Sequence, residues 1–287
     1  MEIGEQANQL VECLKSYGSA AVAFSAGVDS TVVAAAAWRG LGDSAVAVTG
    51  VGPALAEGEL EQARTLAKLI GIRHIEAATA EIEQTPYKAN GPDRCFHCKT
   101  ELYTHVAKVA DELGLAAIAN GANTDDLGDY RPGMKAAADF SVRSPLVECG
   151  INKQGVRELA QHWGLPVADK PASPCLASRL AYGVEVTPER LARVDAAEQF
   201  LRSFGVRELR VSVHHGELAR IELAPEHLTW LVEPKIRESI VARLKELGFK
   251  HVSVDLTGFQ SGSLNQLVQL ERSSGACVDS HTKTEMV

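Results

Sequence analysis

The sequence predicts an α/β fold, in which a parallel sheet is flanked by helices, followed by a second, smaller α+β domain. The first observation is that short apolar segments alternate with longer helical segments over residues 5–163, which is the order typical of parallel sheets. The second is a change of texture after Leu165, where a proline-rich stretch at 170–179 precedes a helix and strands in a different order. Together these observations indicate two folded regions of different class.

The first region is expected to place three loops along one edge of its sheet. Ligands bind beyond the carboxyl ends of the strands in open parallel sheets, so the loops at 25–30, 49–53 and 120–126 should lie together. Residues 85–98, with two prolines and a cysteine pair, are expected to be irregular. The predicted strands are 20–24, 44–48, 73–77 and 115–119, and the predicted helices are 5–17, 30–38, 54–70, 100–113 and 152–163.

The domain boundaries follow from the same changes of texture. We expect a first domain at 1–165, a second at 166–269 and a polar, disordered tail at 270–287. The second domain contains a helix that starts at Thr187-Pro188-Glu189, a hydroxyl cap followed by proline and an acid. Its remaining predicted elements are strands at 209–213, 219–223 and 251–256 and a helical stretch at 228–247 that is broken or started at Pro234.

Composition limits the class of protein. The 287 residues are 45% hydrophobic and 23% charged, as in globular proteins, and no apolar stretch approaches the ~20 residues of a membrane helix. The acidic N-terminus lacks the basic, then apolar, pattern of a signal peptide, so we expect a cytoplasmic location and no membrane partner. The net charge of −8 disfavours a nucleic-acid partner, because binding to phosphates requires basic residues.

An anion site is expected in the loop between the first strand and the Ala-rich helix. Free backbone N–H groups and the positive end of the helix dipole converge at such a point. Gly27 can take a positive φ and let the backbone approach a ligand, and Asp29 can cap the helix or bind a cation. An ordinary turn with Asp29 as the N-cap is the alternative. The candidate binding residues are Ser25, Gly27, Val28, Asp29 and Ser30.

A second polar stretch, 120–126, follows the fourth predicted strand. Asp125 or Asp126 would serve there as a ligand of Mg²⁺ or of a ribose. The alternative is a polar turn stabilised by Asx caps. No G-x-x-x-x-G-K-[ST] is present anywhere in the chain, which disfavours γ-phosphate transfer of the Walker type.

The six cysteines indicate metal or catalytic chemistry in place of a disulfide framework. Cys95 and Cys98 form a C-x-x-C, and Cys175 lies in the proline-rich loop. Three thiolates can hold a [4Fe–4S] cluster that keeps one iron open; zinc bound with a histidine and free or redox-active thiols remain open as alternatives. The other three, Cys13, Cys149 and Cys277, are interpreted as packing or surface residues.

Three further residues are candidates for substrate binding or proton transfer. Arg179 follows Cys175 by four positions, and an anionic substrate needs several guanidinium groups; a weak surface salt bridge is the alternative. Glu198, on the helix that starts at Pro188, is a candidate acid/base, although solvated helix glutamates are commoner. The further arginine candidates are Arg131, Arg143, Arg207 and Arg210.

The loop at 25–30 resembles the S-G-G-x-D-S pyrophosphate loop of the ATP-pyrophosphatase (PP-loop) superfamily, with Ala26 in place of the first glycine. Members of that superfamily cleave ATP to AMP and pyrophosphate, so the resemblance implies attack at the α-phosphate. Other motifs, which extend to about Asn265, resemble the LarE family of sulfurtransferases that act in nickel-pincer nucleotide synthesis. They are R-C-F-H-C-K at 94–99, N-G-A-N-T-D-D at 120–126, D-Y-R-P-G at 129–133, R-S-P-L at 143–146, K-P-A-S-P-C-L-A-S-R-L-A-Y-G at 170–183 and D-L-T-G-F-Q-S-G-S-L-N at 255–265.

The resemblance implies ATP and Mg²⁺ as cofactors and pyridinium-3,5-biscarboxylic acid mononucleotide as substrate. Each carboxylate would be adenylated, and sulfur would then displace AMP. Cys175 matches the family's sulfur-donor position, which is sacrificed in one branch, whereas three cysteines bind a [4Fe–4S] cluster in another; Cys95 and Cys98 make this chain resemble the second branch. Glu198 and Arg210 fall near active-site positions of the family, and a homo-oligomer is implied.

Two functions of other classes stay open at this point. A PP-loop tRNA thiolase would share the nucleotide loop and three cysteines but modify a base, and the acidic charge counts against it. A non-catalytic regulator that binds a nucleotide or a metal would not turn over any carboxylate.

Overall fold

The computed structural model describes residues 2–128, 132–171 and 173–260 of the chain. Within these residues the chain divides into two compact units, one made of 2–88 and 93–176 and the other of 89–92 and 177–260. Several predictions concern residues outside the described ranges and are therefore not followed further. They are the tail at 270–287, Cys277, Arg131 and parts of the motifs at 129–133 and 255–265.

The first unit extends further along the chain than the sequence indicates, to Leu176 where 165 was expected. Leu165, Val167 and Ala168 are buried in its main hydrophobic core, although the proline-rich texture suggested a junction there. The guanidinium of Arg157 also donates to the carbonyl of Lys170, at 3.2 Å. These contacts fix the stretch after residue 165 to the first unit.

The first unit contains a parallel four-stranded sheet, which confirms the predicted fold class. The spatial order is β3-β2-β1-β4, and each neighbouring pair is parallel. All four side chains of β1 are buried, as expected for a central strand covered on both faces. The strands are β1 (Ala20–Ala23), β2 (Ala45–Val51), β3 (Arg73–Ala78) and β4 (Ala117–Ala119).

Helices surround this sheet, and small side chains allow close packing beside it. Ala34, Ala35, Ala36 and Ala37 of α2 are all fully buried, so the helix can approach its neighbours closely without leaving voids. The helices of the unit are α1 (Ile3–Lys15), α2 (Val28–Leu41), α3 (Glu59–Ile70), α4 (Thr85–Lys88), α5 (Arg94–Leu113), α6 (Pro132–Asp139), α7 (Pro145–Glu148) and α8 (Lys153–His162).

The prediction of an irregular stretch at 85–98 was wrong in part. α4 lies within it, and α5 begins at Arg94, six residues earlier than the expected start at Thr100. The helix includes Phe96 and His97, whose intrinsic helix propensities are modest. α5 packs closely on α6, so tertiary contact supports a helix start that the local sequence does not signal.

The second unit is the predicted α+β region. Thr187 Oγ1 accepts a hydrogen bond from the Arg190 amide at 3.3 Å, which confirms the predicted N-cap, and Pro234 begins a helix after a break. β5 and β6 are antiparallel, whereas β6 and β7 are parallel. The elements are α9 (Pro188–Arg202), β5 (Leu209–His214), β6 (Leu218–Leu223), α10 (Leu228–Leu231), α11 (Pro234–Glu246) and β7 (His251–Val254).

No helix in the described part of the chain combines the length and the apolar character that crossing a membrane requires.

Candidate active site

The nucleotide loop, residues 25–30, connects β1 to the first turn of α2. Ser30 Oγ lies 3.2 Å from both the amide nitrogen and the hydroxyl oxygen of Ser25, and it donates to the Gly27 carbonyl at 3.2 Å. The buried Ser30 hydroxyl therefore closes the loop on itself. The N-cap is Gly27, and no side chain caps the helix, so the first N–H groups of α2 are oriented toward the loop as an anion site requires.

Two expectations for this loop need correction. Gly27 is extended, with φ −75°, and the positive φ falls on Ala26, at +56°. Ala26 is fully buried, so the surrounding core holds the alanine in a conformation that an L-residue adopts only at a cost. Asp29 is not the N-cap, because α2 already begins at Val28.

The Asp29 carboxylate joins the loop to two other segments. Its Oδ1 accepts from Asn123 Nδ2 at 3.0 Å, and its Oδ2 lies 2.5 Å from Lys153 Nζ. The Asp29 side chain is about one-fifth exposed, at 22%, so the carboxylate lies at the surface of the unit. A ligand that approaches the loop can therefore reach it.

The 120–126 turn lies against the start of α2, as the sequence predicts for loops on one edge. A Cβ at position 121 would lie 2.7 Å from the Ser30 amide nitrogen, so only glycine permits this approach. Asp126 Oδ2 accepts from the Asn123 amide at 3.1 Å, and Asp125 Oδ2 accepts from the Lys153 amide at 3.0 Å. The Asx-type bonds of the turn, which the alternative interpretation expects, come from asparagines: Asn120 Oδ1 accepts from the Ala122 amide and Asn123 Oδ1 from the Asp125 amide, each at 3.0 Å.

The C-x-x-C lies on the first turns of α5, so Cys95 and Cys98 are three positions apart on one helix face. Cys95 is exposed and Cys98 is half-buried. Burial, followed by the nearby Cys175 thiol, raises the pKa of the Cys98 thiol to about 12. Cys175 itself is exposed, and its influence on Cys98 puts the three predicted cysteines in one region of the first unit.

Arg94 and Tyr87 accompany these cysteines and were missed by sequence reasoning. Arg94 Nη2 lies 3.9 Å from Cys95 Sγ. Burial lowers the pKa of this guanidinium, but its neighbours, chiefly the Cys175 and Cys95 thiols, together raise it by more. The hydroxyl of Tyr87 is buried and has no hydrogen-bond partner among the described residues.

The cysteines match an iron–sulfur cluster in donor type and number but are not gathered as a metal site. Across residues 2–128, 132–171 and 173–260, no group of three or more His, Cys, Asp or Glu side chains is arranged to hold a metal ion. No disulfide links the five cysteines that the structure describes. Cys13 and Cys149 pack against the main core, which confirms their interpretation as packing residues.

In the second unit, Glu198 is held by cations and the backbone. Its side chain is only 2% exposed. Oε1 accepts from Arg179 Nε at 3.0 Å and from the Val211 amide at 3.2 Å, and Oε2 accepts from Arg179 Nη2 and Arg202 Nη2 at 3.3 and 2.9 Å. The expectation of a solvated or acid/base glutamate does not fit this geometry, because both oxygens are already engaged with permanent donors; the carboxylate orients Arg179.

Arg210 lies on β5 opposite Glu222 of β6. It is buried, and its Nη1 donates to the Gln260 carbonyl at 3.3 Å, whereas its Nε has no partner among the described residues. Burial lowers the pKa of this guanidinium, which Glu222 partly offsets. Of the other predicted arginines, Arg143 pairs with Glu148 at 2.6 Å and Arg207 is exposed on the surface.

Two lysines at the nucleotide loop were also missed. Lys153 pairs with Asp29, and Lys170 Nζ lies 3.4 Å from the Ala26 carbonyl. Each lies more than a hundred positions from its partner in the loop, at separations of 124 and 144. Lys170 belongs to the motif at 170–183, but the local sequence does not indicate which residue it contacts.

The chain is similar in sequence to several known proteins. No family model matches the chain. An uncharacterized protein from Synechocystis sp. is 45% identical over 87% of this chain and 92% of its own length. A pyridinium-3,5-bisthiocarboxylic acid mononucleotide synthase from Lactiplantibacillus plantarum is 37% identical over 89% of this chain and 92% of its own length. A tRNA-specific 2-thiouridylase from Caulobacter sp. is 30% identical over 53% of this chain.

The parallel sheet and its nucleotide loop define an ATP-using α/β enzyme of the PP-loop class, and the similarity to the thiouridylase supports that class. The agreement with the synthase over nearly the whole length of both proteins is more specific. The chain belongs to the LarE family and is an ATP-dependent sulfurtransferase.

Proposed function

We propose that the chain activates the carboxylates of pyridinium-3,5-biscarboxylic acid mononucleotide with ATP and converts them into thiocarboxylates for nickel-pincer cofactor synthesis. The observation that carries this proposal is that Asp29 joins the nucleotide loop to the 120–126 turn. The 37% identity to a synthase of the bisthiocarboxylic mononucleotide supports the choice of substrate.

In the first step, a substrate carboxylate oxygen attacks the α-phosphorus of ATP. A P–O bond forms to the carboxylate, the bond to the β-phosphate oxygen breaks, and pyrophosphate leaves. Backbone N–H groups of residues 27–30, with the hydroxyls of Ser25 and Ser30, would bind the pyrophosphate portion. Asp29 and Asp126 are proposed as ligands of Mg²⁺, which prefers carboxylate oxygens.

In the second step, a sulfur nucleophile attacks the acyl carbon of the adenylate. A C–S bond forms, the acyl C–O bond breaks, and AMP leaves with the electron pair. We assign the reacting role here to the Cys175 region, with Arg94 beside it as a cation that stabilises anionic sulfur. Two cycles convert the two carboxylates.

The sulfur that attacks the acyl-adenylate has two candidate sources. When bound through Cys95, Cys98 and Cys175, a [4Fe–4S] cluster would supply a transferable sulfide on its open iron. The set of three thiol donors in the first unit supports this source. The alternative is that the Cys175 sulfur itself forms the C–S bond, giving a thioester. Loss of the Cα proton then breaks the Cβ–S bond, so the thiocarboxylate leaves with the sulfur and dehydroalanine remains at position 175; the exposure of Cys175 permits this.

The second unit is proposed to bind the substrate. Arg179 and Arg210 are the guanidinium groups for its anionic parts. Glu198 contributes by orienting Arg179 through its two contacts at 3.0 and 3.3 Å, a positioning role that we propose in place of acid/base catalysis.

We also propose a cytoplasmic location and assembly as a homo-oligomer. The location is supported by five cysteines without a disulfide, as is usual in reducing compartments. The assembly rests on the family resemblance alone, and sedimentation of the purified protein would test it.

The test of function is ATP–pyrophosphate exchange in the presence and absence of the pyridinium dicarboxylate mononucleotide. Exchange that requires the mononucleotide is expected, and no exchange with it would overturn the proposal. Anaerobic purification with iron and sulfide analysis, followed by intact mass after turnover, separates the two sulfur sources. Loss of one sulfur from the polypeptide identifies sacrifice of Cys175, and an unchanged mass with bound iron identifies the cluster.

Thiolation of tRNA is the second candidate function, because the chain is 30% identical to a tRNA-specific 2-thiouridylase over the residues that match. The match covers only 46% of that relative's length, so it supports a shared nucleotide domain and not a shared substrate. A gel-shift assay with tRNA at moderate salt distinguishes the candidates; firm binding would favour the thiolase.

A further inference from the structure

The segment that carries Cys175, residues 168–176 without the undescribed position 172, is attached to the first unit at several points. Two of its residues, Pro171 and Pro174, have no backbone N–H to donate. Side chains from outside the segment therefore contribute to holding it in place. At its start, Arg157 donates to the carbonyls of Ala168 and Lys170, and at its end the Leu176 amide donates to the Ala54 carbonyl at 2.9 Å.

The middle of the segment is held by one carboxylate, Glu59, the first residue of α3. Its Oε1 accepts from Ser173 Oγ at 3.0 Å, and its Oε2 accepts from Lys170 Nζ at 3.0 Å. The two donors lie on either side of Pro171, and Cys175 follows two positions after Ser173. Glu59 therefore positions the cysteine-bearing part of the segment.

Lys170 connects the same segment to the nucleotide loop. Besides Glu59, its ammonium group donates to Gln62 Oε1 at 2.5 Å and to the Ala26 carbonyl at 3.4 Å. Three acceptors match the three hydrogens of an ammonium group. The side chains of Lys170 and Glu59 are only 16% and 20% exposed, so water screens this ion pair less than a surface pair.

We infer that the Lys170–Glu59 pair is a positioning device that holds the Cys175 segment against the nucleotide loop, and so couples activation of the carboxylate to delivery of sulfur. This inference rests on the proposed function. Lys170 contributes by positioning Cys175 and by its hydrogen bond to the Ala26 carbonyl of the nucleotide loop. Without the ammonium group, the acyl-adenylate still forms but the sulfur donor is displaced, so that water can hydrolyse the adenylate to carboxylate and AMP.

The coupling ratio, thiocarboxylate formed per AMP released, tests this role. In Lys170→Met we expect thiocarboxylate formation to fall by much more than substrate-dependent AMP formation, so that the coupling ratio is lowered at least about tenfold. Lys170→Arg, which keeps the charge, should recover part of the ratio. Lys15→Met, which removes an exposed lysine paired with Glu12 on α1, is the matched control and should leave the ratio unchanged.

A parallel loss of AMP and thiocarboxylate in Lys170→Met would overturn the inference, because it would mean that Lys170 acts in activation itself. An unchanged ratio would overturn it as well. Glu59→Gln should lower the ratio in the same way, and the double variant should be no worse than either single variant, since residues of one interacting pair are not additive.

A readout independent of turnover separates failure of the inference from failure of the proposed function. The rate at which iodoacetamide alkylates Cys175, followed by peptide mass spectrometry, should change at least about threefold in Lys170→Met relative to the wild type and to Lys15→Met. If the wild type shows no exchange activity but this rate changes, the proposed function fails and the positional role of Lys170 stands. Equal alkylation rates in all three proteins would remove the positional role.

Discussion

The nucleotide loop and the cysteine region lie in the same unit but are built differently. Within the loop itself the polar side chains are paired, Ser25 with Ser30, and Asp29 with Asn123 and Lys153, although the Thr31 hydroxyl that follows the loop has no partner among the described residues. In the cysteine region the Tyr87 hydroxyl has no partner among the described residues, and the half-buried Cys98 lies near other thiols.

The difference indicates how the two steps depend on the fold. A site whose polar groups are already oriented needs little reorganisation when it binds its ligand. The cysteine region instead carries a buried hydroxyl, that of Tyr87, whose hydrogen-bonding capacity no described residue uses. Activation of the carboxylate should therefore tolerate changes among the cysteines, whereas sulfur transfer should depend on both regions.

The largest expected effects on product formation distinguish the role of the nucleotide loop from that of the cysteine region. Asp29→Ala removes the carboxylate that joins the loop to the turn and to Lys153, so AMP formation should fall about 100- to 1,000-fold, and thiocarboxylate formation with it. Cys175→Ala should abolish thiocarboxylate formation but leave AMP formation within about threefold of the wild type. Both products are measured by chromatography under the same conditions. Thiocarboxylate formed by Cys175→Ala would remove the sulfur role of this residue.

The next effect concerns the close approach of the turn to α2. In Gly121→Ala the new Cβ meets the Ser30 amide nitrogen at 2.7 Å, so backbone must move. We expect the free energy of unfolding to fall by about 2 kcal/mol and ATP to bind about tenfold more weakly, as measured by denaturant titration and calorimetry. Gly4→Ala, where a Cβ meets nothing within 4 Å, is the control; equal stabilities of the two variants would contradict the packing argument.

A smaller change in the free energy of unfolding, in the stabilising direction, is expected for a substitution at Tyr87 in the cysteine region. Tyr87→Phe removes a buried hydroxyl without a partner, so the free energy of unfolding should stay the same or rise by up to about 1 kcal/mol. Tyr17→Phe removes a hydroxyl that donates to Glu148 at 2.9 Å, so it should cost about 1 kcal/mol. Thermal unfolding of both proteins checks the contrast, and a clear loss in Tyr87→Phe would mean that the hydroxyl is paired in solution.

The smallest effect concerns the positive φ of Ala26. Glycine relieves the cost of this conformation, about 1 kcal/mol, but it loses a buried methyl group and gains freedom in the unfolded chain. We expect Ala26→Gly to remain within about 0.5 kcal/mol of the wild type, whereas Ala26→Val, branched at Cβ, should lose about 2 kcal/mol. If the two variants have the same stability, the positive φ does not limit the loop.

The sequence predicted the parts of the fold that are encoded locally. Short apolar runs and the turn residues between them gave the parallel sheet, the nucleotide loop and the 120–126 turn along one edge. The cap at Thr187 and the break at Pro234 were predicted for the same reason, because each is a property of a few neighbouring residues. The start of α5 was missed because packing on α6 supports a helix whose first turn has no local signal.

At the site, the sequence by itself determined which residue types are present: the S-A-G-V-D-S loop, a C-x-x-C with a further cysteine at 175, and the motifs shared with the LarE family. Tertiary structure decided how they are used. It put the positive φ on Ala26, engaged Glu198 with two arginines, and brought Lys153 and Lys170 to a loop more than a hundred positions away. The physical reason is that propensity and periodicity act over a few residues, whereas an ion pair between distant residues depends on how the whole unit packs.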